Sequence, residues 1–214
     1  MNNPFLKRRR KEAIKVLIAQ IVILVLFVGL WELLSSLEII DAFLFSKPSR
    51  IVKLLETYIV TKTIYKHIGI SLLETMLGLV IGTLAGLLIA IILWWNKIIA
   101  KIMEPFLVVL NALPKTALAP IIIIWMGTGI KGITAVAVSI SLVLTIISAY
   151  NYFIQVEEEK IKMLQSFNAT KLQILFKLVI PANLANIISL IKINIGMSWV
   201  GVIVGEFIVS RYGI

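Results

Sequence analysis

Charged and strongly polar residues fall in short clusters along this chain, and the stretches between them are long and apolar. Residues 75–96 and 132–156 carry no charge, and residues 16–31 form a shorter apolar run that extends through Glu32 to Leu37. Residues 102–126 and 178–205 are as long but are interrupted by proline and by Glu104, Lys115 or Lys192. A bilayer core about 30 Å thick is crossed by roughly 20 apolar helical residues, so the pattern predicts five transmembrane helices in an all-α polytopic bundle. Strands of a transmembrane barrel would alternate apolar and polar residues over about ten positions, which these runs do not. The predicted organisation is a basic N-terminal segment (1–15), a first span (16–37), a connection (38–66) and a core (67–214). Spans in that core lie near 73–95, 102–126, 132–153 and 178–205, with a polar loop at 156–177.

Composition sharpens the membrane reading. Of 214 residues, 60% are apolar and 15% charged, against about 25% charged in soluble domains. The formal charge of +10 sits beside hydrophobic helices, where basic residues set topology and meet anionic lipid rather than nucleic acid. With the N-terminus in the cytoplasm, residues 38–66 fall outside, 96–101 inside, 127–131 outside, 157–177 inside and the C-terminus outside. Lys7, Arg8, Arg9, Arg10, Lys11, Lys15, Lys97, Lys101, Lys160, Lys162, Lys171 and Lys177 are then internal. They outnumber the external Lys47, Arg50, Lys53, Lys62, Lys66, Lys131 and Arg211, as the positive-inside rule requires. The first apolar run exceeds the 7–15-residue core of a cleaved signal and reaches Trp31-Glu32 without an A-x-A-like site, so it is retained as a span. There is no cysteine, hence no disulfide or thiolate metal site, and no metal or cofactor is implied.

Within the spans, Gly78, Gly82 and Gly86 recur every fourth residue, with Ala90 next. Such stripes let helix backbones approach closely in lipid, either inside one subunit or at a dimer seam. Pro105, Pro114 and Pro120 each bend or break the helix of the third span, and irregular backbone at membrane depth survives only against protein or a water-filled cavity. This span is therefore expected to line the interior. Charge at membrane depth marks a path by default, which makes Asn111, Lys115, Lys192, Asn194 and Ser198 candidates to line one for an anion or polar solute. Alternatively, the lysine stems carry their ammonium groups to the interface, or pair with Glu104, Glu74 or Glu206. His67 reads as a topology or packing residue, and Trp94, Trp95 and Trp125 as interfacial anchors.

The polar loop carries two helical patterns. Val156, Ile161, Leu164 and Phe167 form an apolar stripe that follows Glu157, Glu158 and Glu159, acids suited to a helix N-terminus. Asn168 stands where that helix should stop in the left-handed conformation. Thr170 with Gln173 makes a capping box that starts a second helix, in which Leu172, Leu175, Phe176 and Val179 share a face and Pro181 closes the run. An apolar face of this kind suits either a lid on the membrane or a docking element for a protein. Lys47-Pro48-Ser49 reads as a turn, and a further short amphipathic helix is predicted near Arg50 to Val60.

The stretch Phe167-Asn168-Ala169-Thr170, followed after eight residues by Val179-Ile180-Pro181-Ala182, resembles the cytoplasmic loop motif of ATP-binding-cassette importer permeases, E-A-A, three residues, G, nine residues, I-x-L-P. The resemblance favours the nitrate, sulfonate and taurine branch. It extends in order through Trp31-Glu32, Phe45-Ser46-Lys47-Pro48-Ser49, His67 with Ser71-Leu72 and Gly78, the run from Leu113 to Pro120, and Ile124-Trp125-Met126-Gly127. The chain departs from the motif at Lys162-Met163-Leu164, which replace the Glu-Ala-Ala, and at Asn168, which replaces the elbow glycine. The family continues past Glu206 and Tyr212-Gly213 into a sixth span, so the chain is expected to be shortened at its C-terminus.

The resemblance implies a multi-pass bacterial inner-membrane permease that is not itself an enzyme. Leu164, Phe167, Asn168, Ala169, Thr170 and Pro181 would form a coupling loop for a separate ATPase subunit. Its other implied partners are an extracytoplasmic substrate-binding protein, a second permease chain and membrane lipid. The chain has no G-x-x-x-x-G-K-[ST] loop of its own. An embedded enzyme is disfavoured by a single His, no Cys and no H-E-x-x-H. A secondary transporter or channel remains the alternative, although no internal repeat supports it.

Overall fold

The computed structural model describes residues 4–209; Arg211, Tyr212 and Gly213 lie outside them. Among the described residues every element is helical, and the chain divides into two units, Met1–Ile64 and Tyr65–Ile214.

The first unit holds α1 (Pro4–Ser36), α2 (Ala42–Phe45) and α3 (Pro48–Val60). The basic segment and the first span are one helix, because nothing between residues 11 and 20 interrupts helical propensity. Pro48 occupies the first turn of α3, where its missing N–H is no loss, so the helix starts ahead of the predicted Arg50. Its cap comes from a distance. The Glu32 carboxylate on α1 accepts bonds from the Ser49 amide at 3.0 Å and the Ser49 hydroxyl at 2.8 Å, and Ser35 Oγ donates to the Ser46 carbonyl at 2.8 Å. A carboxylate there satisfies open amides and meets the positive end of the helix dipole. The Trp31-Glu32 and Lys47-Pro48-Ser49 segments are thus one structural joint.

The second unit comprises α4 (Thr63–Trp95, beginning at the unit boundary), α5 (Lys97–Ala112), a 3₁₀ turn at Lys115–Leu118, α6 (Ala119–Met126) and α7 (Ile130–Ile154), then α8 (Glu158–Ser166) and α9 (Lys171–Ile174), a π-helical stretch at Leu175–Val179, α10 (Ile180–Ala182) and α11 (Leu184–Val209). Helices α1, α4, α7 and α11 are each long and apolar enough to cross a membrane. The segments Lys97–Ala112 and Lys115–Met126 make a fifth crossing if taken as one span, bent by 85°.

Two local causes shape that broken span. Asn96 accepts bonds from the amides of Ile98 and Ile99 at 2.9 and 3.3 Å, so a one-residue N-cap replaces the connection expected over 96–101. Pro114 holds Leu113 in the extended region, at φ −66° and ψ 133°, and ends α5, whereas Pro120 lies in the first turn of α6 and is tolerated.

Helix α7 is the centre of the second unit: 61% of its most apolar window is buried, against 39% for α4 and 28% for α11. The glycine stripe of α4 receives it. A Cβ on Gly78 would stand 2.5 Å from the Ala137 Cβ, one on Gly86 would stand 2.5 Å from the Thr145 Cβ, and one on Gly82 would overlap the Ser141 hydroxyl. From the other side Gly201 of α11 meets Ala137, with its virtual Cβ 2.6 Å from the Ala137 Cα. Small residues on both flanks let the backbones approach, which is how helices gain dispersion contact in lipid. This packing lies within one chain.

Candidate functional site

The loop between α7 and α11 is built from two opposed caps. Helix α8 begins with Glu158 and Glu159 in its first turn and ends in a Schellman motif. There the Ala169 amide donates to Leu164 O at 3.1 Å, the Asn168 amide donates to Gln165 O at 2.9 Å, and Asn168 is left-handed at φ 55°. Thr170 caps α9 at once: its hydroxyl accepts from the Gln173 amide at 3.3 Å, and the Gln173 side chain accepts from the Thr170 amide at 2.8 Å. With both helix ends satisfied, the elbow at Phe167–Thr170 has one defined geometry.

Its apolar residues do not share one face. Ile174, Leu175 and Val179 are buried with Ala90, Ala149, Phe153 and Leu190 of the spans, and Val156, Ile161, Leu164 and Ala169 pack on that cluster. Phe167, Leu172 and Phe176 point outward, 76%, 55% and 62% exposed. The expectation that Leu172, Leu175, Phe176 and Val179 lie together is corrected: Leu175–Val179 is π-helical, and this wider turn helps separate the inward pair from the outward one. Pro181 likewise does not end the run. It lies in the first turn of α10, and the break falls at Asn183. The loop therefore has an inner face that joins it to the bundle and an outer apolar face that is exposed among the described residues.

Lys171 fastens the elbow to the end of α4. Its ammonium donates to the Trp95 carbonyl and lies 5.9 Å from the Trp94 ring centre and 5.3 Å from that of Trp95, distances at which cation–π attraction operates. The sequence signal, a lysine opening a helix, did not reveal this. The pairs Lys160–Glu157 at 2.9 Å and Lys162–Glu158 at 3.2 Å are exposed and contribute little.

The candidate path residues separate into two groups. Asn194 and Ser198 are fully buried. Asn194 Nδ2 donates to Thr83 Oγ1 at 2.9 Å and Thr145 Oγ1 at 2.7 Å, so one amide ties α11 to α4 and α7. Asn194 Oδ1 and Ser198 Oγ have no partner among the described residues. Asn111 and Lys192 are exposed, and the half-exposed Lys115 donates to Asn111 O at 3.3 Å beside the break in the third span. Neither lysine pairs with an acid among the described residues. Glu74 and Glu206 instead hydrogen-bond to each other, buried between α4 and α11, and Ser71 donates to Glu206.

Residues 78–214 match the family described as binding-protein-dependent transport system inner membrane component. A formylaminopyrimidine transport permease protein of Halalkalibacterium halodurans is 25% identical over 186 residues, 86% of this chain and 73% of the relative. A protein named for aliphatic-sulfonate transport in Bacillus subtilis is 26% identical, over 87% of this chain and 68% of its own length. A taurine transport system permease protein of Escherichia coli is 22% identical, over 89% of this chain and 71% of its own.

Proposed function

Because the chain belongs to the family of binding-protein-dependent transport system inner membrane components, we propose that the outward face of its 156–183 loop is where the ATPase of an ATP-driven importer docks. The chain is the multi-pass permease subunit of such an importer and is not itself an enzyme; proteins of this kind work in general with an ATPase and a substrate-binding protein. The observation that supports the docking reading is the two-sided loop. Its inner residues are already committed to the cluster around Phe153 and Val179, so Phe167, Leu172 and Phe176 are free to enter a partner's groove. Burial of each phenylalanine there would contribute about 1.5–3 kcal/mol. The elbow is capped at both ends and joined through α10 to α11, so displacement by the partner would pass into the last described span rather than be absorbed by the loop.

The substrate proposed is a small polar or anionic solute of the size of taurine or an alkanesulfonate, in keeping with what the relatives are named for. Asn111 and Lys115, at the break in the third span, are the groups proposed to meet it, with Lys192 on the exposed side of α11. Asn194 acts in this reading as the tie that holds α11 to α4 and α7 while the path changes access. The N-terminus is proposed to be cytoplasmic, with a second permease chain completing the path.

Co-purification in mild detergent tests the docking surface. With the ATPase subunit co-expressed, Phe167→Asp and Phe176→Asp are each expected to lower its recovery about tenfold or more, the size of a central interface residue. The chain itself should remain monodisperse, because both side chains are exposed. Undiminished recovery and uptake in both variants would refute the assignment.

A further inference from the structure

A cavity of about 550 Å³ lies between α8 and the ends of α4, α5 and α7, a size typical of small-molecule sites, roughly 300–1,000 Å³. Four of its lining residues are cations, Lys97, Lys101, Lys162 and Lys171, against one acid, Glu158, while Leu93 and Phe153 belong to its apolar part. Lys162 is held by Glu158 at 3.2 Å, and Lys171 by the Trp95 carbonyl. Lys97 and Lys101, one turn apart on α5, have no ion-pair partner among the described residues. The site therefore has an excess of positive charge beside hydrocarbon, and the ligand that answers both is an amphiphile with an anionic head.

We propose that this cavity binds the phosphate headgroup of an anionic phospholipid, clasped between α5 and the α8 arm of the loop. Trp94 lines the cavity and stands at a helix end, where tryptophan marks the headgroup level of a membrane. Next to the two free lysines, Ile98 and Ile102 are 70% and 58% exposed and offer an apolar surface along which the acyl chains would leave. Basic pockets at the ends of transmembrane helices suit such headgroups, each lysine adding attraction that falls off within a Debye length. A protein carboxylate would neutralise the lysines but leave the apolar wall without a partner. A lipid bridging α5 and α8 would stiffen the loop from its inner side without touching Phe167 or Phe176. The site does not depend on the docking assignment, since it requires only that α4 and α5 meet at a membrane surface.

The test is native mass spectrometry of the full-length chain in mild detergent, titrated with phosphatidylglycerol, phosphatidylcholine or sn-glycerol 3-phosphate. Phosphatidylglycerol should be retained about tenfold or more tightly than phosphatidylcholine. The exposed double variant Lys97→Gln/Lys101→Gln should lose about tenfold of that preference, whereas Lys53→Gln/Lys62→Gln should keep it. Equal retention of the two lipids, or an unchanged preference in the first variant, would overturn the proposal. Glycerol 3-phosphate binding as tightly as phosphatidylglycerol would assign the cavity to a soluble phosphate and overturn the lipid as its source. Loss of ATPase co-purification in the Lys97→Gln/Lys101→Gln variant, with no lipid preference in the parent, would show that a protein acid occupies it.

Discussion

Asn168 shows how much one position decides. It is among the few non-glycine residues with positive φ, all at helix ends, together with Glu38, Ser46 and Lys62. Asn tolerates the left-handed region because its short polar side chain bonds locally, whereas a β-branched residue there costs about 1–2 kcal/mol. Asn168→Val is therefore expected to loosen the elbow, seen as faster hydrogen exchange of the amides that close it, those of Asn168, Ala169 and Gln173. Asn168→Gly should leave exchange there unchanged or slower. This position was legible from sequence because the cap is local: an Asn, then Thr170 and Gln173 at capping-box spacing, need no tertiary contact to be recognised. The Glu32 cap on α3 was not legible, since its partner Ser49 lies 17 residues away and carboxylates at the ends of apolar runs are common.

Among elements, the glycine stripe of α4 carries the tightest packing. Its period was visible in the sequence, but period alone does not say which helix it receives. The structure assigns α7, through Ala137, Ser141 and Thr145. Gly82→Leu should force α4 and α7 apart, a defect of about 1–3 kcal/mol by the usual cost of overpacking, read as a lower melting midpoint in detergent. Gly69→Leu on the same helix, where a Cβ meets nothing within 4 Å, should leave the midpoint near that of the parent. The loop helices show the converse limit. Leu172, Leu175, Phe176 and Val179 satisfy an ideal helical face, yet the π-helical turn and the cluster around Phe153 draw only Leu175 and Val179 inward. The sequence pattern assumes uniform helical geometry, which the widened turn at Leu175–Val179 does not keep.

At the scale of the whole molecule, the contact of Lys171 with Trp95 places the end of α4 and the elbow on one side of the membrane, so the crossing made by α7 is matched by a crossing of the bent pair around Pro114. The absence of cysteine makes this measurable. In intact cells, Thr61→Cys and Lys131→Cys should react with a membrane-impermeant maleimide, and Ser166→Cys only after permeabilisation. If the bent pair re-enters instead, Lys131→Cys would be protected and Ser166→Cys labelled. The outcome also fixes the side on which the outward phenylalanines lie, which the docking proposal requires to be the cytoplasm.

Sequence by itself determined the membrane class, the positions of the long helices, the broken third span and the two caps of the elbow. These follow from hydrophobic length, proline chemistry and side chains acting within a few residues. Only the tertiary structure decided that Asn194 ties three helices together, that Glu74 and Glu206 pair with each other, that Phe167 and Phe176 face away from the bundle, and that Lys97 and Lys101 border a half-apolar cavity. The physical reason is distance along the chain. Each of these depends on groups brought together by packing from spans far apart in sequence, and neither hydropathy nor local propensity records which faces of two apolar helices will meet.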